Sequence, residues 1–194
     1  MSKPLRIAAL IHQGMEILDF AGPIEVFTNA GWEVFIVARD KSPVVSQGVV
    51  QILPQYDITD CPTVDILATF GGNSEAAVQQ TDVLHWIQRR AQECQVLFSV
   101  CTGVFYYAAA GLLAGHKATT FHGETDRLRR EAPQTEVLTG VKYVDSGKIV
   151  SAAGVSSGID GALYLVGRLQ GKAAADKIAR YIEYGQWHSS NRAG

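Results

Sequence analysis

Gln95-Val96-Leu97-Phe98-Ser99-Val100-Cys101-Thr102-Gly103-Val104-Phe105-Tyr106-Tyr107-Ala108-Ala109-Ala110 runs from a strand into a helix, and this junction decides the fold. Gln95 to Val100 is short, apolar and β-branched, with polar Glu93 and Gln95 at its start, as in a strand buried on both faces. Gly103 to Ala110 reads as a helix that stops at Gly111. Cys101 therefore sits at the tip of a strand and the start of a helix, its sulfur facing a cleft. The unpaired N–H groups and the dipole of a helix start favour the thiolate, the nucleophilic form of cysteine. The same residue also reads as a small core hydrophobe, since free cysteine is among the most buried residue types.

The alternation continues on either side. Arg6 to Ile11, Trp32 to Ala38 and Val64 to Phe70 read as strands. Gly22-Pro23 opens a helix with proline at its first position, where the missing N–H costs nothing, and that helix ends near Gly31. Val44 to Leu53, broken by Gln47-Gly48, reads as a hairpin. Thr81 caps a helix whose Val83, Ile87, Ala91 and Cys94 share one face, which makes Cys94 a packing residue. Lys117 to Phe121 is a strand, a helix lies near Glu124 to Glu131, and Val141 to Ala152 forms a second hairpin. Ser157 starts a helix through Leu169, with Asp160 at capping-box spacing. Gly171 separates it from a last helix, Lys172 to Tyr184.

Strands alternating with helices predict an α/β fold with a mostly parallel sheet covered on both faces. Ligands bind such folds beyond the carboxyl ends of the strands. Asp19, Gly71-Gly72 and Cys101 all lie at such ends, so the fold gathers residues that the sequence separates. With 194 residues and no repeat or composition shift, the chain reads as one domain over 1–187, followed by a short, mobile polar tail at 188–194.

Composition removes several function classes. A formal net charge of −2 and the lack of a basic run exclude a nucleic-acid surface. No apolar stretch is long enough to span a bilayer, so no membrane partner is expected. Met1-Ser2-Lys3-Pro4 leads straight into a strand without a cleavage site, which argues against a signal peptide. Three cysteines without CxxC spacing fit a reducing compartment, and a cytoplasmic location is expected. His12, His85, His116 and His188 show no metal-ligand spacing, so a metal site is not expected.

Four segments together resemble the ThiJ/PfpI superfamily, and within it the isonitrile-hydratase-like branch. They are Leu18-Asp19-Phe20-Ala21-Gly22-Pro23-Ile24-Glu25-Val26-Phe27, the Ser99-Val100-Cys101-Thr102-Gly103 elbow with Ala110-Gly111-Leu112-Leu113-Ala114-Gly115, Lys117-Ala118-Thr119-Thr120-Phe121-His122, and Gly154-Val155-Ser156-Ser157-Gly158-Ile159-Asp160. The resemblance covers almost the whole chain in one order. It implies a flavodoxin-like three-layer sandwich of the class I glutamine amidotransferase-like kind, a homodimer, and a cysteine nucleophile on a strained elbow.

It also implies roles for single residues. Asp19, which alone reads as a turn or helix-opening residue, matches the family's acid; Glu16 and Glu25 are its rivals. Gly71 and Gly72, otherwise only a tight turn, match the loop whose N–H groups join that of Thr102 in an oxyanion-like pocket. Phe70 stands where many relatives have proline. Thr102 either caps its helix or hydrogen-bonds in the site, and the two roles are compatible. Val155 is a pocket wall or a core residue. His122 comes one position later than the histidine of several branches, where Phe121 stands here. One residue of shift on a strand turns a side chain to the other face. His122 is thus either a substrate-binding base or a surface histidine.

A thiolate beside a carboxyl shares one proton with it. The implied chemistry is attack on the terminal carbon of an isonitrile, a small-molecule substrate, with no cofactor required. The alternatives are a glyoxalase-like or deglycase-like enzyme acting on aldehydes, a cysteine–histidine peptidase, a cysteine redox sensor, and the ligand-sensing half of an AraC-type regulator. The aldehyde and peptidase readings are weakened by the displaced His122. The regulator would need a helix-turn-helix segment after Gly194.

Overall fold

A computed structural model describes residues 3–185 of the chain. The readings made for Met1-Ser2 and for the tail from 188 onward fall outside the described residues. The fold is an α/β flavodoxin-like sandwich. Strands β1 (Arg6–Leu10), β2 (Glu33–Ala38), β5 (Tyr56–Asp57), β6 (Ile66–Thr69), β7 (Val96–Val100), β10 (Tyr143–Ser146) and β11 (Ile149–Ala152) form one sheet. Their spatial order is β10-β11-β7-β6-β1-β2-β5, and every pairing is parallel except β10 with β11. Sequence order reverses between β1 and β6, which leaves a crevice beyond their carboxyl ends.

The two-residue period of each strand divides the core between two layers. Ile7, Ala9, Ala68, Phe98 and Val150 face α1 (Ile17–Asn29), α5 (Ser157–Gln170) and α6 (Lys172–Tyr181). Ala8, Leu10, Leu67, Leu97 and Ile149 face α2 (Thr81–Glu93), α3 (Val104–Ala109) and α4 (Thr125–Glu131). Two small sheets lie outside this core: β3 (Val44–Ser46) with β4 (Val50–Ile52), antiparallel, and β8 (Lys117–Ala118) with β9 (Glu136–Val137), parallel. The first is the hairpin read from Gln47-Gly48. β5 and β9 carry two residues each, too few for a period to show.

Some local readings are corrected. The first helix starts at Ile17, so Pro23 lies inside it and Asp19 is in its first turn. An interior proline costs about 3 kcal/mol. Here Pro23 is buried against α5, and Gly22 beside it comes so close that an added Cβ would lie 2.8 Å from Ile159. Packing outweighs the lost hydrogen bond. Thr81 is the first residue of α2 and makes no side-chain cap. Asp160 does not cap α5 either. It is buried and paired instead, with Lys142 Nζ at 3.0 Å and the Tyr184 hydroxyl at 2.9 Å, because an enclosed carboxylate needs such partners.

Candidate active site

The elbow after β7 is strained. Val100 is extended, Cys101 has φ +58°, and residues Cys101–Gly103 make one 3₁₀ turn before α3 begins. A left-handed cysteine costs roughly 1–2 kcal/mol, and the surrounding structure must hold it. The buried Thr120 hydroxyl does so, donating to the Cys101 carbonyl at 2.9 Å. The conformation turns the side chain toward the first turn of α1, where Asp19 is fully buried.

Asp19 gathers the site. Its Oδ2 accepts from the Gly71 N–H at 3.0 Å and its Oδ1 from the Val155 N–H at 2.9 Å, while Cys101 is its side-chain partner. Val155 has φ +48°, an outlier for a β-branched residue. Four non-glycine residues have positive φ among the described residues, and two of them, Cys101 and Val155, converge on this carboxyl. Strain concentrated around one group makes this carboxyl the centre of the candidate site.

Gly71 and Gly72 need to be glycine. A Cβ on Gly71 would lie 2.6 Å from the Thr102 nitrogen; one on Gly72, at φ +114°, would lie 2.4 Å from the Glu16 nitrogen. The sequence expectation placed their N–H groups in an oxyanion-like pocket. In the structure the Gly71 N–H is directed at Asp19, and the Gly72 N–H at the Thr102 hydroxyl at 3.2 Å. Thr102 does not cap its helix; its N–H and hydroxyl serve the Cys101 sulfur, and its hydroxyl also accepts from the buried Ser74 at 3.3 Å. Ser74 and Thr120 escape the sequence reading. Thr120 lies within a quoted segment, whereas Ser74 carries no signal in its neighbourhood.

Burial pushes the Asp19 carboxyl up to about 7, against the pull of the Gly71 and Val155 N–H groups, and nearby Glu16 adds to the rise. Burial and the adjacent carboxylate push the Cys101 thiol up to about 12, while Thr102 pulls it down. This corrects the expectation that the helix start lowers the thiol: one short turn and a six-residue helix do not offset desolvation and a neighbouring anion. The carboxyl thus ionises before the thiol, the remaining proton of the singly charged pair rests on the sulfur, and a thiolate arises there by passing that proton to Asp19.

The rival acids have other hydrogen-bond partners. Glu16 binds the Gln47 amide at 2.6 Å, and Glu25 is exposed on α1 beside Asn29. His122 is exposed at the start of a 3₁₀ turn, its ring packed on Phe121 with centroids 4.2 Å apart. Phe121 itself reaches the loop before Val155, since a Cβ on Gly154 would meet its ring at 2.9 Å. Among the described residues, no three His, Cys, Asp or Glu side chains cluster as metal ligands would, and no helix is long and apolar enough to cross a membrane.

A model of the DJ-1/PfpI family matches residues 5–167. The chain belongs to that family. An isonitrile hydratase of Pseudomonas putida is 30% identical over 182 residues, which span 93% of this chain and 78% of that protein. The crystal structure of a ThiJ/PfpI family protein from Pseudomonas syringae has a TM-score of 0.88 and 29% identity, covering 94% of this chain and 76% of that one. A deglycase of Pyrococcus horikoshii is 23% identical over 163 residues, 82% of this chain and 93% of that protein. The parallel sheet and the helices on its two faces are those of the family's fold.

Within this family member, Cys101 is expected to be the first thiol alkylated at neutral pH. Burial pushes Cys61 up to about 11 and Cys94 up to about 12, neither has a carboxyl as side-chain hydrogen-bond partner as Cys101 has in Asp19, and Cys94 is only 2% exposed. Mass spectrometry after brief iodoacetamide treatment checks this. Faster labelling of Cys61 or Cys94 would refute the assignment.

Proposed function

We propose that the chain is a cysteine-dependent hydratase that converts an isonitrile to an N-substituted formamide. One observation carries the reading: a buried carboxyl, raised to about 7, is the direct side-chain partner of a buried cysteine on a strained elbow. That pair can deliver a nucleophile and a proton to one carbon. The likeness to an isonitrile hydratase at 30% identity supports the substrate class.

In this reading the proton of the pair rests on Asp19 as the Cys101 sulfur attacks the terminal carbon of R–N≡C. A C–S bond forms, Asp19 gives its proton to that carbon, and the product is a thioimidate, R–N=CH–S. Asp19, now a carboxylate, takes a proton from water as the hydroxide adds to the same carbon, and passes that proton to the nitrogen. Collapse of the hydroxyl to the carbonyl returns its proton to Asp19, breaks the C–S bond, releases R–NH–CHO and restores the cysteine thiolate. Every electron pair is supplied by sulfur, water or substrate, so the scheme requires no cofactor. Thr102 sets the sulfur, Gly71 and Val155 hold the carboxyl, and the Gly71-Gly72 loop, Val155 and His122 border the substrate.

A second reading, an enzyme acting on reactive aldehydes, is supported by the likeness to a deglycase. A panel of an isonitrile, methylglyoxal and a peptide, assayed with wild type and Cys101→Ala, separates the two. Cysteine-dependent turnover of the isonitrile is the expected result. Turnover of methylglyoxal alone would replace the hydratase reading, and accumulation of a cysteine sulfinate without turnover would favour a redox sensor. We also infer a cytoplasmic homodimer that binds neither membrane nor nucleic acid; a single-chain mass by light scattering at micromolar concentration would refute the dimer.

A further inference from the structure

The peptide unit between Phe70 and Gly71 is gripped at both ends. Its N–H, on Gly71, donates to Asp19 Oδ2 at 3.0 Å. Its carbonyl, on Phe70, lies 3.1 Å from Nε2 of His12. His12 follows β1 and is 7% exposed, its ring tilted against the buried Tyr106 with centroids 6.0 Å apart. It borders a cleft on the α2 and α3 side of the sheet, lined also by Leu10, Ala38, Val83 and Tyr106. Cys101 is not among the residues lining that cleft, and the His12 ring nitrogens face the Gln13 and Phe70 carbonyls.

A peptide unit is planar, so fixing the direction of its carbonyl fixes the direction of its N–H. Gly71 has no side chain by which packing can set that plane, and a Cβ there would collide with Thr102. Packing of the buried Phe70 ring on Phe20 anchors one end of the unit, and at the Gly71 end the orientation depends on hydrogen bonds. Burial lowers the His12 imidazole below its usual range, which favours the neutral ring with one N–H. Nδ1 faces the Gln13 carbonyl at 2.9 Å and Nε2 the Phe70 carbonyl at 3.1 Å, and a neutral ring donates to one of them only; the tautomer with its hydrogen on Nε2 donates to the enclosed Phe70 carbonyl.

We propose that His12 is a positioning residue of the Cys101–Asp19 site: its ring locks the Phe70–Gly71 peptide plane so that the Gly71 N–H points at the Asp19 carboxylate. The proposal rests on the reading of Cys101 and Asp19 as the reactive pair. It adds a residue that touches neither substrate nor sulfur and acts from the other side of the Gly71 loop. The singly charged form of the pair is held by the Gly71, Val155 and Thr102 N–H groups, and a donor to the charged form favours it. Losing the Gly71 donor raises the pH at which the pair gives up its first proton. Glu16, the charged group that faces Asp19, pushes the same way and is unchanged by substitution at His12.

The test is the rate of Cys101 alkylation by iodoacetamide against pH, read by mass spectrometry on the full chain. His12→Gln, whose amide nitrogen reaches the position of Nε2, is expected to keep the wild-type profile. His12→Asn, too short to reach Phe70, is expected to move the midpoint up and, because the lost donor favoured the carboxylate over the thiolate, to raise the labelling rate on the plateau above that midpoint severalfold. Circular dichroism checks the fold. If His12→Asn does not fold, His12→Phe supplies a donor-free ring of similar volume for the same comparison. Matching profiles in wild type, the Gln variant and the donor-free variant would overturn the role of His12. A wild-type Cys101 labelled no faster than Cys61 and Cys94 would overturn the reading of the site itself, a different result.

Discussion

Cys101→Ala is expected to lower kcat/KM for isonitrile hydration by more than about 10³-fold, as removal of a covalent nucleophile does, while the protein still folds. Every step of the proposed cycle passes through the sulfur, and neither Cys61 nor Cys94 has a carboxyl as its side-chain hydrogen-bond partner. A companion variant separates chemistry from strain. Cys101 has φ +58°, a conformation that glycine adopts freely, so Cys101→Gly should be more stable than Cys101→Ala by about 1 kcal/mol although both are inactive. Thermal unfolding of the pair measures the strain held at the elbow. Wild-type turnover by Cys101→Ala would end the mechanism.

Asp19→Asn is expected to slow turnover by about 10²–10⁴-fold, the range for loss of a general acid–base group. Asparagine cannot supply the proton, and its amide meets the Val155 or Gly71 N–H with a second donor. Asp19→Glu keeps an ionisable proton and should retain more activity, as the glutamate of related branches implies. The pH dependence gives an independent check. The carboxyl is raised from an ordinary 3.8 to about 7 in the folded protein. Its contribution to stability is therefore complete below about pH 4 and is lost as pH rises through about 7, because the folded state binds the extra proton. The melting temperature of wild type should fall relative to that of Asp19→Asn between about pH 4 and about pH 8. Alkylation of Cys101 should rise over the upper part of that window in wild type, and this limb should move when the carboxyl is removed. If Asp19→Asn matches wild type in turnover, labelling profile and pH-dependent stability, Asp19 is a helix-opening residue only.

Both results would follow from contacts between residues distant in sequence. Asp19 meets Gly71 and Val155 across 52 and 136 positions. Parallel pairing explains why such contacts arise at all: β1, β6, β7 and β11 run in one direction, so the loops after them share one edge of the sheet. The same register sets Gly71 against Thr102, with room for a hydrogen and nothing larger.

The α/β class, the strand–cysteine–helix junction and the hairpins are legible in the chain itself, because they rest on local periodicity and turn chemistry. The sequence also singled out Cys101, Asp19, Thr102, Gly71, Gly72 and Val155, through short motifs that occur in one order. Where burial and packing overrule local preference, the tertiary structure decided. It carried α1 through Pro23, took Asp160 from a helix cap into a buried pair, and directed the Gly71 and Gly72 N–H groups to Asp19 and Thr102. It also set the direction of the Cys101 titration. A helix start favours a thiolate when considered alone, but enclosure beside a carboxylate opposes it more strongly. His12, Ser74 and Thr120 entered the site only through the fold, since a hydrogen bond across 58, 28 or 19 residues leaves no trace in local sequence.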